Sequence, residues 1–183
     1  TGARFYEINA FEYLEEGEIA TVEPNSGQFA TEIHISGERL LGIGSSLDSV
    51  TLIGVPVHRI VSSNNTDVEV IAATPDAYIQ IAQLPLTGEG VLTADTGDIV
   101  SIAGGWTYLR AGQIYSVYPG SGQLGTRVGI TGVRLFGGGN SISRIILAGV
   151  DADIVVATDT LAVVIANAGL ESIVPGDVVL VSD

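Results

Sequence analysis

Displaced by 95 residues, the chain overlays itself: 23 of its first 61 positions carry the same residue as the position 95 further on. A self-match that dense marks a duplicated structural unit, so the chain must fold as two like bodies rather than around one large core. Thr1-Gly2 falls on Thr96-Gly97, Phe11-Glu12-Tyr13-Leu14 on Trp106-Thr107-Tyr108-Leu109, and Gly17-Glu18-Ile19 on Gly112-Gln113-Ile114. Val22-Glu23-Pro24-Asn25-Ser26-Gly27-Gln28 falls on Val117-Tyr118-Pro119-Gly120-Ser121-Gly122-Gln123, and Ile35-Ser36-Gly37-Glu38-Arg39-Leu40 on Ile130-Thr131-Gly132-Val133-Arg134-Leu135. Beyond position 61 the first copy carries one extra residue before Val70-Ile71-Ala72, which match Val164-Ile165-Ala166, and six more before Gly88, which matches Gly176. Copy one is residues 1–95 and copy two 96–183, with the length difference confined to loops, where insertions are tolerated.

Each copy has the length at which a sandwich can bury its own core. The apolar runs are short: Ile33-His34-Ile35, Val50-Thr51-Leu52, Val68-Glu69-Val70-Ile71, Val91-Leu92-Thr93. They alternate with period two and stop well before helical length. Twenty-four glycines, with Pro, Asn, Ser and Asp, punctuate Val, Ile and Thr, a strand-and-turn composition. About seven such segments per copy predict antiparallel sandwiches, with helix confined to a turn or two.

The second copy reads Ile114-Tyr115-Ser116-Val117-Tyr118-Pro119-Gly120-Ser121-Gly122, then Gly125-Thr126-Arg127-Val128-Gly129-Ile130-Thr131-Gly132, and later Leu147-Ala148-Gly149-Val150-Asp151-Ala152. This pattern resembles the IPT/TIG family of immunoglobulin-like domains, and the family's closing aromatic strand is matched by Phe11-Glu12-Tyr13 and Trp106-Thr107-Tyr108. The resemblance covers nearly the whole chain. It implies an all-β fold of two tandem immunoglobulin-like antiparallel β-sandwiches and no single function, since such domains serve in receptor ectodomains, surface arrays, enzyme accessory modules and transcription factors. The first copy departs at Ala30, where the second has Gly125, and at Val57 in place of Ala152, so its turns there are expected to differ in detail.

Charge narrows the functions. All seven basic residues are Arg, against 21 acidic ones, a net charge of -14. That field repels phosphate backbones and excludes nucleic-acid binding. Self-association must then use shaped, apolar or backbone-paired surfaces. No apolar run reaches the length of a membrane span, so direct insertion is not expected. Thr1 opens the chain without a signal peptide, as a mature product or an excerpt would. Absent cysteine removes disulfides and thiolate chemistry.

Catalytic and cofactor motifs fail on context. Gly120-Ser121-Gly122-Gln123-Leu124-Gly125 has dinucleotide-loop spacing, but β-forming residues rather than a helix follow it, and Asn25 and Ala30 break it in copy one. Without lysine no Walker-type loop exists. His34 and His58 align with Gly129 and Asp153, outside the repeat's design, and read as surface residues. Asp151, Asp153 and Asp159 bracket one predicted strand and are weak calcium-ligand candidates beside the reading of ordinary loop aspartates. Trp106 is either a sugar-stacking platform or, since Phe11 replaces it, a core aromatic. Asn64-Asn65-Thr66 is a glycosylation sequon in a polar loop.

No enzyme and no cofactor are expected. The leading expectation is a structural protein of the cell exterior, assembling head to tail into a filament or surface array through homotypic neighbours. An adhesive or ligand-binding ectodomain with a glycan among its partners, or an accessory module of a secreted enzyme, stand as alternatives. If each sandwich runs to its aromatic closing strand, residues 15–109 form sandwich one, and 110–183 form sandwich two without a last strand of its own. Residues 1–14, with Phe5, Ile8, Phe11, Tyr13 and Leu14, are then the closing strand of a preceding repeat or neighbouring subunit.

Overall fold

A computed structural model of the chain describes residues 2–75, 78–169 and 175–183. The fold is all-β: two tandem immunoglobulin-like sandwiches. The first uses β1 (Glu18–Glu23), β2 (Ser26–Gly27), β3 (Glu32–Glu38), β4 (Leu47–Leu52), β5 (Val55–Pro56), β6 (Arg59–Ser63), β7 (Asp67–Ile71), β8 (Leu86–Ala94) and β9 (Ile99–Tyr108). The second uses β10 (Gln113–Tyr118), β11 (Arg127–Val133), β12 (Ile142–Leu147), β13 (Val150–Ala157), β14 (Leu161–Ile165) and β15 (Val178–Ser182). Among the described residues one 3-10 turn, Ile81–Gln83, lies in the copy-one insertion.

Domain one pairs β1-β3-β7-β6 in one sheet and β2-β9-β8-β4-β5 in the other. Every pairing is antiparallel except the short β2–β9 contact. Alternation decides the faces: on β3, Ile33 and Ile35 are buried while Glu32 and His34 face water. They meet Val68 and Val70 from β7, Val50 and Leu52 from β4, Leu92 from β8, and Val100, Trp106 and Tyr108 from β9 in one cluster. Trp106 and Tyr108 are wholly buried, their rings edge to face with centroids 5.6 Å apart. Burial pushes the Tyr108 phenol up to about 12. Trp106 Nε1 and Tyr108 Oη find no hydrogen-bond partner among the described residues, so their burial rests on packing and offsets an unsatisfied polar group of about 1–3 kcal/mol each.

Domain two repeats the register. Bulges fall at Ile19/Thr21 and Ile114/Ser116, at Leu47/Ser49 and Ile142/Arg144, and at Ile60/Ser62 and Ile154/Val156. The β4–β5 and β12–β13 hairpins both turn through two residues at positive φ, Ile53-Gly54 and Ala148-Gly149, the conformation a two-residue hairpin loop of type I′ requires. Ala30 adopts the same left-handed conformation as Gly125, φ 68° and 86°, so that turn is shared despite the substitution. At Val57 the copies do differ: β13 runs unbroken, joining its strands into one sheet of order β10-β11-β14-β13-β12-β15, whereas β5 and β6 are separate.

Because Trp106 fills the centre of domain one, Trp106→Ala is expected to cost that domain about 3–5 kcal/mol. Urea unfolding followed by circular dichroism should show one transition moved and the domain-two transition unchanged.

Candidate functional site

The two copies differ most at one sheet edge. In domain one, β8 is paired on both sides, by β4 and by β9. In domain two the equivalent strand β15 pairs only with β12. Nothing among the described residues takes the β9 position beside it. The consequence reaches the core. Ile19, Val22, Leu52 and Leu92 are buried, yet their counterparts Ile114, Val117, Leu147 and Leu180 are half-buried, and Val179 and Val181 on β15 are exposed. An unpaired edge over a partly open core is a site for strand addition.

Residues 2–14 form no strand and are exposed throughout, Phe11 at 78% and Tyr13 at 92%. Offset by 95, they are β9. Phe11 and Tyr13 stand edge to face with centroids 5.0 Å apart, as Trp106 and Tyr108 do. Asn9 has φ 58° where Gly104 has φ 67°, and Gly104 lies in the stretch of β9 facing the Gly88/Gly90 register shift. The segment thus shares with β9 a left-handed residue at this position and an edge-to-face aromatic pair.

Carboxylates fix the ends of the strands that border this edge. Asp95 accepts from Ser45 N (3.0 Å), Ser45 Oγ (2.7 Å) and Ser46 Oγ (3.2 Å). Asp183, directly after β15, accepts from Asn140 N (2.9 Å), Ser141 N (3.0 Å) and Ser141 Oγ (3.0 Å). Both carboxyls lie below the usual range, Asp95 chiefly through the Ser45 hydroxyl and Asp183 chiefly through the Ser141 backbone N–H. Asp67 is lowered by the Thr66 hydroxyl and by His34.

The other candidates disperse. His34 Nε2 sits 3.1 Å from Asp67 Oδ1 in an exposed pair, and His58 stacks edge-on with Phe29. Asp151 pairs with Arg144, Asp153 accepts from Asn167 Nδ2 at 3.1 Å, and Asp159 caps Phe136 N at 3.1 Å, as Asn65 caps Leu41 N in copy one. Among the described residues no three such side chains gather as a metal group. Gly120 to Gly125 form the loop before β11, a strand rather than a helix. Trp106, wholly buried, offers no stacking platform. Asn64 is exposed, its Oδ1 accepting from Thr66 N, Thr66 Oγ1 and Asp67 N at 2.8–2.9 Å. Among the described residues no helix is long and apolar enough to cross a membrane.

No family model matches the chain, and no curated protein matches it in sequence. Among solved structures, the full extracellular region of plexin A4, domains 1 to 10, is similar with a TM-score of 0.55 at 16% identity, over 82% of this chain and 12% of that one. A surface glycan-binding protein of Prevotella bryantii gives a TM-score of 0.38 at 12% identity, over 91% of this chain and 40% of that one. The plexin likeness is one of fold; the second carries no argument.

A carboxyl whose pKa is lower folded than unfolded adds stability above its unfolded pKa and loses it as pH falls through the folded one. Both domains are therefore expected to weaken as pH drops below about 4. Asp95→Asn should flatten that acid limb for domain one and Asp183→Asn for domain two, read from urea midpoints between pH 2 and 7.

Proposed function

We propose that this chain is a non-enzymatic structural unit of the cell exterior that assembles head to tail, residues 4–14 of one copy closing domain two of the copy before it. The observation that carries the reading is the open β15 edge beside a half-covered core, together with an unpaired segment that repeats β9. Transferring the β8–β9 register places Phe5 opposite Leu180, Tyr6 opposite Val179, Arg4 opposite Val181 and Phe11 opposite Gly176. The β2–β9 pairing likewise sets Glu12 and Tyr13 against Ser121 and Gly122.

In that register Phe5, Phe11 and Tyr13 take the buried places of Val100, Trp106 and Tyr108, and Leu14 the half-buried place of Leu109. Ile8 takes the exposed place of Ala103 at the bulge, and Glu7 the half-buried place of Ile102 at the rim. Phe11 also brings no indole N–H to leave unsatisfied. Each buried aromatic contributes about 1.5–3 kcal/mol, which offsets part of the conformational entropy of ordering the strand, the rest falling to backbone pairing and to burial of the open core. The contact has the same geometry whether successive copies share one polypeptide or not. It is heterologous, so it propagates as an open array unless its rotation closes a ring.

The exterior location rests on Asn64, whose loop presents it to solvent. Expressed in a secretory host, the chain is expected to carry glycan there, seen as a mass increment that Asn64→Gln removes; a bare Asn64 at full occupancy would remove this support.

Assembly is tested with two copies fused directly, so that Asp183-Thr1-Gly2 repeats Asp95-Thr96-Gly97. Domain two of the first copy is expected to unfold at a clearly higher urea concentration than domain two of the single chain. Phe11→Asp in the second copy alone should return it to the single-chain value. Equal midpoints in all three proteins would show that residues 4–14 are not its closing strand.

A further inference from the structure

Strand closure accounts for a shared sheet but not for how successive sandwiches sit on each other. Within the chain they meet at a joint built from few contacts. Gly112 N–H donates to Gln28 Oε1 at 3.3 Å, the Gln28 amide lies against Gly137, and Leu109 Cδ1 packs where a side chain at Gly138 would stand. Arg110 braces the joint, Nε donating to Leu84 O at 2.6 Å and Nη2 to Ala82 O at 3.3 Å. Arg134 Nε holds the linker by donating to Ala111 O at 3.0 Å.

Apart from Arg110, and from Gly138 whose place Ile43 takes, the residues of the joint have like counterparts at the opposite ends of the unit. Gln28 corresponds to Gln123, Gly112 to Gly17, Gly137 to Gly42 and Leu109 to Leu14. Gln123 is exposed in a loop of the same conformation: its N–H donates to Thr126 Oγ1 at 2.9 Å, as that of Gln28 does to Thr31 Oγ1 at 3.1 Å. The linker ahead of β1 is also set, because Arg39 Nε donates to Glu16 O at 3.0 Å as Arg134 does to Ala111 O. A joint surface is thus formed at the start of domain one although no domain in this chain lies against it.

We propose that this surface, made by Leu14, Gly17 and Ile43, is the docking face for the Gln123 loop of a second copy's domain two. The inference rests on the head-to-tail reading and adds the domain contact to the strand contact. Gln123 bridges to the Gly17 N–H; over Gly42, where Gly137 meets the Gln28 amide, the Asp98 side chain of the same domain already lies, its Oδ2 accepting from Ile43 N at 3.2 Å. Ile43, 67% exposed and standing where copy two has Gly138, receives Leu14, 61% exposed. Leu14 cannot sink onto backbone as Leu109 does, so two side chains separate the domains and bury each other's apolar surface.

Glu15 replaces Arg110 and pairs with Arg39 at 3.5 Å on its own domain. The insertion whose carbonyls receive Arg110 has no counterpart in copy two. Joints between units are therefore unbraced and wider than joints within them, and the two kinds alternate along the array.

The chain has no cysteine, so a pair can be introduced cleanly. In the two-copy protein, Gln123→Cys in the first copy and Ile43→Cys in the second are expected to be bridged by a short bismaleimide, shifting the intact mass by one linker with no dimer formed. Single-cysteine proteins give open adducts only. Unbridged adducts in the pair, with domain two of the first copy still raised in urea midpoint, overturn the docking face and leave strand closure standing. Unbridged adducts with no raised midpoint overturn both.

Discussion

A sandwich of this kind is complete only when its last strand covers β8. In domain one β9 does three things at once: it pairs the β8 edge, it reaches across to β2, and it drives Trp106 and Tyr108 into the centre of the core. Backbone pairing and aromatic burial are one event there, because side chains alternate along a strand whose edge must also be satisfied. Domain two repeats the bulges and the two-residue hairpin turn of domain one, and some core positions that domain one buries are half-buried in it. The strand that completes domain one thus comes from the second sequence repeat, so the structural unit is offset from the sequence repeat by one strand.

The strong negative charge fits this arrangement. A net charge of -14 opposes indiscriminate association, so contacts between copies have to be made by strand pairing, aromatic burial and small apolar seats. In the proposed assembly Phe5, Phe11, Tyr13, Leu14 and Ile43 would supply those, flanked by Glu7, Glu12, Glu15 and Glu16. Exposed hydrophobic residues in a segment that belongs to no sheet of its own chain call for a partner, and the internal repeat says what that partner surface looks like.

Much of this was legible in the sequence because the repeat supplies its own template. Period-two alternation marked Ile33, Ile35, Val68 and Val70 as core, and the Phe/Trp and Tyr/Tyr correspondences marked the closing strand. Other features were not legible. Ala30 was expected to alter its turn, yet the surrounding hydrogen bonds hold it in the left-handed conformation that Gly125 adopts freely. Ile8 stands among the proposed assembly-strand residues by hydrophobicity, and its counterpart Ala103 is exposed at the β9 register shift, a facing that simple alternation does not supply. Asp159, a weak ligand candidate beside the reading of an ordinary loop aspartate, accepts from Phe136 N, a cap the sequence did not announce. The copy-one insertion gave no sign that its carbonyls would receive Arg110, because loop hydrogen bonds to a distant arginine leave no periodic trace.

Hydrogen–deuterium exchange on the directly fused two-copy protein tests the central claim most directly, because both kinds of closing segment are present in one molecule. The account expects the amides of residues 4–13 in the second copy to exchange as slowly as those of Ile99–Tyr108, while the same residues of the first copy exchange at unstructured rates. Fast exchange of residues 4–13 in both copies, with Ile99–Tyr108 protected, would contradict it.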